Sequence, residues 1–169
     1  LTNSVLDEGI GGKTYTEAGD KGITAGSVKV EVLNPGREYI NDNDNSIVLL
    51  LTYSNTTILL MGDCESKCEN KLVSQHYPRD VDVLLVGHHG SSTSSSAAFL
   101  AMTQPKIALI SVGENNQYGH PSPEVLERLT NIETRVYRTD TDGTITIKTD
   151  GRTITITKKV AGGTIHVKK

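Results

Sequence analysis

The chain has 169 residues, with 17 Lys and Arg against 20 Asp and Glu and a formal net charge of −3 at pH 7. Its length fits a single domain, and no apolar run reaches the roughly 18 residues that would predict a membrane-spanning helix. Residues 1–134 hold 17 acidic and 9 basic side chains, which does not favour DNA binding through counterion release, and the basic residues 135–169 are better explained as solvated strand faces.

The first part of the chain predicts a flexible arm followed by antiparallel strands. Residues 1–25 are polar and rich in glycine, with no sustained hydrophobic period, and they predict a loop or fraying arm. Residues 27–33 alternate between apolar and polar side chains, which is typical of a strand. Two further apolar runs, 46–53 and 56–61, are separated by a short Ser-Asn turn and predict a hairpin.

The middle of the chain predicts strands and helices in alternation. Residues 81–86 and 106–112 are short, continuous apolar runs that predict buried strands. A helix is predicted at 65–76. Two more helices begin after Ser96 and Ser122, because serine hydroxyls are suited to accept hydrogen bonds from the first amides of a helix.

The last part of the chain predicts a strand meander. Strands are expected at 135–138, 144–148 and 152–157, with turns at 142–143 and 150–151 and one further strand at 164–167. The order of elements predicts an α/β protein with a mixed sheet and flanking helices. We expect three regions: a flexible arm at 1–25, the folded body at 26–158, and a tail or short extra strand at 159–169.

The two cysteines, Cys64 and Cys68, lie four positions apart at the start of the first predicted helix. On a helix this spacing places both side chains on one face. It is not the two-residue spacing of a zinc knuckle, and the chain has no second pair. The sequence favours two small side chains that pack a helix. A disulfide is the alternative, and it would be strained within a regular helix.

Polar residues follow three of the predicted strands. Asp63 comes after the hairpin through a glycine, His88 and His89 come after the next strand through another glycine, and His120 lies in a polar loop after the third. Because the ends of parallel strands meet at one edge of a sheet, we expect these side chains to lie together. Aspartate oxygens and neutral imidazole nitrogens bind metal ions, and paired ions clamp phosphoryl groups. The sequence therefore predicts a metal or catalytic site, with Asp63 suited to bridge two ions.

Each of these residues also has a structural explanation. Asp63 is suited to cap the helix that follows it. For His89, and more so for His88, the structural explanation is a buried imidazole that hydrogen-bonds to the backbone. His120 lies between glycine and proline, which is typical of a turn. Both interpretations stay open for each residue on the sequence alone.

Several motifs in this part of the chain occur in the order found in one protein family. They lie at 43–49, 59–63, 88–91, 110–113, 116–121 and 137–140, and they include Leu-Leu-Met-Gly-Asp, His-His-Gly-Ser and Asn-Gln-Tyr-Gly-His-Pro. On these residues the chain resembles the metallo-β-lactamase domain of ComEC/Rec2-type competence proteins and related free-standing secreted hydrolases. The resemblance runs from about Val28 to Ile156.

The resemblance implies a metallo-β-lactamase-like αββα fold, in which a two-metal centre of zinc or manganese activates water for hydrolysis. For the competence proteins it implies a nuclease that degrades the non-transported DNA strand, so the implied partner is DNA or another phosphodiester. By position it implies metal ligands at Asp63 and His89, catalytic roles for His88 and His120, and substrate hydrogen bonds from Ser91 and Asn116.

One motif of the family is absent from the chain. The first metal motif, His-x-His-x-Asp-His, should precede these residues, but the first 75 positions hold no His. We therefore expect the C-terminal part of the fold, without the N-terminal part of the αββα sandwich, in keeping with a first residue that is not Met. A natural loss of the motif is the alternative. With Asp63 and His89 as ligands, we expect weak metal affinity and little or no hydrolysis from this chain alone.

Two other functions stay open on the sequence. One is a non-catalytic, degenerate lactamase-like module that binds a partner. The other is a secreted small-molecule esterase of the same fold, such as a phosphocholine esterase or lactonase, because a fold does not fix a function. The resemblance implies a location outside the cytoplasmic membrane, either on its outer face or secreted, and the missing part of the fold is an implied partner.

Overall fold

The computed structural model of the chain describes residues 23–35, 39–160 and 163–168. These residues form the strands β1 (Ile23–Ala25), β2 (Val28–Asn34), β3 (Val48–Tyr53), β4 (Thr56–Leu60), β5 (Val83–Leu85), β6 (Ile107–Ile110), β7 (Arg135–Arg138), β8 (Thr144–Thr149), β9 (Ile154–Val160) and β10 (Gly163–Lys168). The helices are α1 (Ser66–Gln75), α2 (Ala97–Thr103), α3 (Pro123–Asn131) and α4 (Thr139–Asp142). Two 3-10 turns lie at Asn43–Asn45 and Gly87–Gly90.

Seven strands form one sheet, in the order β1 to β7. Neighbours among β1 to β4 pair antiparallel, whereas neighbours from β4 to β7 pair parallel. The connections explain this change. A tight turn joins antiparallel β3 and β4, while parallel neighbours need crossovers, which α1, α2 and α3 provide. The predicted α/β class with a mixed sheet is confirmed.

The three longer helices cover one face of this sheet. Leu59, Leu84 and Ala108 of adjacent strands are completely buried in one apolar cluster with Leu72 of α1 and Phe99 of α2. Because successive strand residues point to opposite faces, the neighbouring residues of β5 and β6 point away from the helices. The structure therefore contains a second apolar layer on the other face.

The second layer joins the large sheet to a smaller one. Strands β8, β9 and β10 form a three-stranded antiparallel sheet. From β9, Ile154 and Ile156 pack with Val83, Ile107 and Tyr137 of the large sheet in a separate apolar cluster. Burial on both faces explains why β5 and β6 are continuous apolar runs without alternation.

Several boundaries differ from those predicted. Residues 23–25 form β1 because they pair with β2, although the sequence places them in the arm, and residues 1–22 lie outside the described part of the chain. The predicted turn at 142–143 is instead the end of helical turn α4, since the amide of Gly143 bonds to the carbonyl of Thr139 at 3.1 Å. Strand β10 matches the predicted C-terminal strand.

Helix starts follow the sequence signals in two of three cases. The hydroxyls of Ser96 and Ser122 accept hydrogen bonds from the amides of Phe99 and Val125, as predicted. Helix α1 begins one residue later than predicted, with Glu65 before it, so Asp63 does not cap this helix. Among the described helices, none is long and apolar enough to cross a membrane.

Candidate functional site

Asp63 and His89 are brought together at the edge of the sheet where β4, β5 and β6 end. The turns after β4 and β5 are tied to each other, because the amide of His88 donates to the carbonyl of Gly62 at 2.9 Å. The amide of Asp63 donates to the hydroxyl of Ser46 at 3.0 Å. These backbone bonds leave the Asp63 carboxylate free of the helix and directed towards the His89 ring.

The two side chains form a pair suited to share an ion. Nε2 of His89 lies 3.7 Å from Oδ1 of Asp63, and both side chains are about half exposed, at 54% and 48%. Nδ1 of His89 lies 2.6 Å from the carbonyl oxygen of Ser111. In the tautomer that carries its proton on Nδ1, His89 donates to this carbonyl and presents the Nε2 lone pair to the same space as the carboxylate. Metal-binding histidines are commonly oriented in this way by a backbone carbonyl.

The turn that carries the histidines is held in an uncommon conformation. His88, His89 and Gly90 have φ values of 47°, 54° and 80°. These values lie in the left-handed region of backbone conformation, which residues other than glycine rarely adopt. The amide of Ser91 donates to the carbonyl of His88, and the amide of Ser122 donates to the carbonyl of Gly90, both at 2.8 Å. Such strain persists only where the surroundings fix it, and it is concentrated at functional sites.

Glu65 connects His88 to the loop before β3. Its carboxylate accepts hydrogen bonds from Asn41, Asn43 and Thr93 at 2.7, 3.1 and 3.0 Å, and Oε1 lies 2.9 Å from Nδ1 of His88, at ion-pair distance but out of hydrogen-bond alignment. Burial tends to raise the pKa of Glu65, but these hydrogen bonds outweigh it and hold the pKa below its usual value. The sequence analysis missed Glu65, because nothing in the chain near Glu65 reveals partners more than twenty positions away.

His120 lies beside the histidine turn, on the loop after β6. Its ring centroid is 5.7 Å from that of His88, and the two planes meet at 67°. The His88 ring is in turn 6.3 Å from the His89 ring. Burial lowers the pKa of His120, and the nearby His88 and His89 lower it further. The structure thus brings all three predicted site histidines together with Asp63.

Asn116 and Ser91 are engaged within their own loops. The side-chain NH2 group of Asn116 donates to the backbone carbonyls of Gly113 and His120 at 3.2 and 2.7 Å. Its side-chain oxygen accepts from the backbone amides of Tyr118 and His120 at 3.2 and 3.0 Å. The Ser91 side chain is nearly buried and bonds to the Thr93 hydroxyl at 2.9 Å. Both residues shape the walls of the site in this structure, and their predicted hydrogen bonds to substrate remain predictions.

Cys64 and Cys68 form a disulfide, contrary to the favoured interpretation of two free side chains that pack a helix. Cys64 precedes α1 and only Cys68 lies within it, so the bridge does not have to fit inside a regular helix. Both cysteines are completely buried. The amide of Cys68 also donates to the buried carboxylate of Asp44 at 3.0 Å. The bridge therefore fixes the segment that carries Asp63 and Glu65.

The serine run after the histidine turn is held by a buried charge. The Glu69 carboxylate, 1% exposed, accepts hydrogen bonds from the amides of Ser95 and Ser96. Arg128 donates to the carbonyls of Ser94 and Ser95 at 3.1 and 2.6 Å. Burial raises the pKa of Glu69 despite these favourable contacts. This segment is an ordered turn that leads into α2, as the predicted loop and N-cap require.

The motif at the end of β7 closes the site from the other side. The Thr139 hydroxyl accepts from the amide of Val112 and donates to its carbonyl, both at 2.7 Å. Arg138 and Asp140 form a bidentate ion pair next to it. These contacts fasten the loop after β6, whose Ser111 carbonyl orients His89, to the last strand of the sheet.

Asp63 and His89 are residue types that bind metal ions, but they are fewer than the ligands a metal site needs. Carboxylate oxygen and imidazole nitrogen bind zinc at about 2.0–2.2 Å, so two such ligands of one ion lie roughly 3–4 Å apart, as Asp63 Oδ1 and His89 Nε2 do at 3.7 Å. Within residues 23–35, 39–160 and 163–168, no three His, Cys, Asp or Glu side chains are grouped to hold an ion. Asp63 and His89 are thus two candidate ligands that the described residues bring together.

No family model matches the chain, but curated proteins do. ComE operon protein 3 of Bacillus subtilis strain 168 is 39% identical over 119 residues, which are 70% of this chain and 15% of that protein. Competence protein ComA of Neisseria gonorrhoeae is 37% identical over 123 residues, 70% of this chain and 17% of that protein. The chain is related to the ComEC/Rec2-type competence proteins.

A third relative extends this set of ComEC/Rec2-type proteins. Recombination protein 2 of Haemophilus influenzae is 37% identical over 106 residues, 63% of this chain and 13% of that protein. The chain therefore spans less than a fifth of the length of these relatives. The resemblance read from the sequence motifs is confirmed at the level of this family.

Proposed function

We propose that this chain is the C-terminal part of a metal-dependent hydrolase domain of the metallo-β-lactamase type, which cleaves DNA phosphodiesters during ComEC/Rec2-like DNA uptake. The observation that carries the proposal is the Asp63–His89 pair, with His89 oriented by the Ser111 carbonyl. The names of the relatives, which refer to competence and recombination, support DNA as the substrate.

In this proposal Asp63 and His89 hold zinc or manganese. When bound, the ion supplies positive charge to a phosphoryl oxygen and lowers the pKa of water. His88 and His120 face the same space, where an imidazole can give a proton to the leaving oxygen. The Glu65 carboxylate lies beside the His88 ring, with its Oε1 atom 2.9 Å from Nδ1 of His88. Ser91 and Asn116 hold the surrounding turns.

The proposal also includes a partner and a location. A catalytic zinc needs about three protein ligands, so the N-terminal part of the fold would supply the rest. The Cys64–Cys68 disulfide supports a location outside the cytoplasm, because structural disulfides persist in oxidising compartments. This agrees with the outer face of the cytoplasmic membrane that the resemblance implies.

A zinc and manganese titration followed by NMR tests the half-site. We expect the imidazole signals of His89 and the carboxyl signal of Asp63 to respond together, by shifts with zinc and by broadening with manganese, with weak affinity. His89→Ala abolishes the response, whereas His76→Ala, at an exposed position after α1, leaves it unchanged.

The opposite results are equally informative. A response that persists in His89→Ala places the ion elsewhere and overturns the assignment. No response at millimolar metal, in the intact chain and in a longer protein that includes its natural upstream sequence, favours the non-catalytic module.

A further inference from the structure

Tyr118 is an exposed aromatic residue at the rim of the candidate site. Among the described residues, the large apolar side chains left exposed are Ile40, Tyr77 and Tyr118, and Tyr118 is 73% exposed. One face of its ring stacks on His120, with centroids 5.9 Å apart and planes at 22°. Isolated exposed apolar residues need no explanation, so the surroundings of Tyr118 decide whether it has a function.

The loop that carries Tyr118 is held in one conformation by side-chain hydrogen bonds. The four hydrogen bonds of the Asn116 side chain span residues 113–120 and include the amide of Tyr118 itself, at 3.2 Å. The stacking on His120 adds a second restraint. An aromatic ring held in this way loses little conformational entropy when a ligand binds its free face.

The Tyr118 ring is connected to the candidate site through neighbouring rings. From Tyr118 the rings of His120, His88 and His89 follow one another at 5.9, 5.7 and 6.3 Å, and the last of them faces Asp63. These contacts place Tyr118 within the length of a few nucleotides of the Asp63–His89 pair. This places a flat apolar surface next to a centre proposed to act on a phosphodiester.

The charge around the site limits what else can hold a nucleic acid. The segments that carry Asp63, the three histidines and Tyr118, 39–66, 86–105 and 107–127, contain no Lys or Arg, and Arg138 at the end of β7 is paired with Asp140. Arg128, the next basic residue, is bound to the Ser94 and Ser95 carbonyls. Phosphate contacts from cationic side chains, which dominate most nucleic-acid affinities, are thus absent from these segments.

We propose that Tyr118 is a stacking platform for a nucleobase of single-stranded nucleic acid: one base stacks on the free face of Tyr118, and a phosphodiester further along the same strand reaches Asp63 and His89. The inference rests on the proposed function and specifies its substrate as a single strand. Bases of single strands have free faces that stack on aromatic side chains with little regard to sequence, whereas a duplex keeps its bases stacked inside. Because these segments hold no Lys or Arg and Arg138 is paired with Asp140, we expect binding that depends little on salt.

The test measures binding of an oligothymidylate of about eight nucleotides, near the site size of a small single-strand-binding surface. The NMR signals of the Tyr118 ring report the binding, at 50 mM and at 200 mM salt. The matched probe is an abasic oligomer of the same length, which has the same charge and no bases. We expect shifts at Tyr118 with the first probe alone. Tyr118→Ala weakens binding by about tenfold, Tyr118→Phe retains it, and Tyr77→Ala, at the other exposed tyrosine, has no effect.

Three results would overturn the inference. Equal binding of the abasic oligomer shows that charge and not stacking is recognised. Equal binding of a duplex removes the single-strand preference. Binding of Tyr118 to phospholipid vesicles in place of the oligomer assigns the ring to a membrane surface. Because no metal is needed for this measurement, its failure is distinguishable from failure of the metal half-site, which the titration of Asp63 and His89 reports separately.

Discussion

At the scale of single residues, Asp82 shows how the sheet keeps a nearly buried carboxylate charged. The side chain lies at the start of β5, away from the candidate site, and accepts hydrogen bonds from the Thr57 amide at 2.9 Å and from the Lys106 ammonium at 2.6 Å. Burial tends to raise the pKa of Asp82, but Lys106 and the Thr57 amide outweigh burial, so the pKa lies below its usual value. Asp82 thus joins the first residues of three parallel strands.

This lowered pKa predicts a pH dependence of stability. The unfolded state binds the proton at about pH 4 and the folded state at a lower pH, so the stabilisation by Asp82 is complete above pH 4 and is lost as pH falls through the folded pKa. Asp82→Asn is expected to lower the free energy of unfolding by about 1–3 kcal/mol at pH 7.

Urea unfolding between pH 7 and pH 2 measures this effect. The difference between the wild type and Asp82→Asn should shrink as the pH falls below 4. Asp80→Asn, at an exposed position two residues earlier, should follow the wild type throughout. A difference that stays constant with pH would show that Asp82 acts through packing and not through its charge.

At the scale of elements, the histidine turn depends on Gly90. A Cβ atom at this position would lie 2.6 Å from the Cβ of Pro121, on the loop that carries His120. Gly90 also has a φ of 80°, which costs a residue with a side chain of the order of 1 kcal/mol. The close approach of two loops and the backbone conformation therefore both require glycine here.

Gly90→Ala is expected to destabilise the protein by about 2–4 kcal/mol, because strain and overpacking of about 1–3 kcal/mol act together. The matched control is Gly119→Ala, since Gly119 has a φ of 69° but nothing within 4 Å of the added Cβ. Thermal unfolding should show a small loss for the control and a larger one for Gly90→Ala. Equal losses would exclude the contact with Pro121 as the cause. The His88 ring signals should shift in Gly90→Ala and not in Gly119→Ala.

At the scale of the whole molecule, two sheets are joined by one apolar layer. Ile156 of β9 is 2% exposed and packs with Val83, Ile107 and Tyr137 of the large sheet. Ile154 and Ile156 of the small sheet are buried by this contact, so the burial of the small sheet depends on the large sheet. We therefore expect the two sheets to unfold as one cooperative unit.

Ile156→Ala is expected to lower the free energy of unfolding by about 2–5 kcal/mol, the range for buried aliphatic truncations. Lys159→Ala, at an exposed position of the same strand, should change it little. Circular dichroism and tyrosine fluorescence should report coincident transitions for all three proteins. Separate transitions would show that β8, β9 and β10 form an independent unit.

The sequence alone determined the α/β class and the order of the elements from β2 to α3, but not β1 or the helical turn α4. Apolar runs without alternation marked the strands buried on both faces, and Ser96 and Ser122 marked helix starts, because these signals act between residues close in the chain. The same local signals singled out Asp63, His88 and His89, which follow strands through a glycine, and His120, which lies in the polar loop after the next strand. They also left Asp63 open as a helix cap and the cysteines open as free side chains.

Only the tertiary structure decided which partners these residues have. Glu65 meets Asn41, Asn43 and Thr93, and His89 meets the Ser111 carbonyl, across separations of up to 28 residues. The disulfide forms because Cys64 lies before α1 and not within it. Pairing across loops depends on how strands are placed in the sheet, and no local pattern in the sequence encodes that placement.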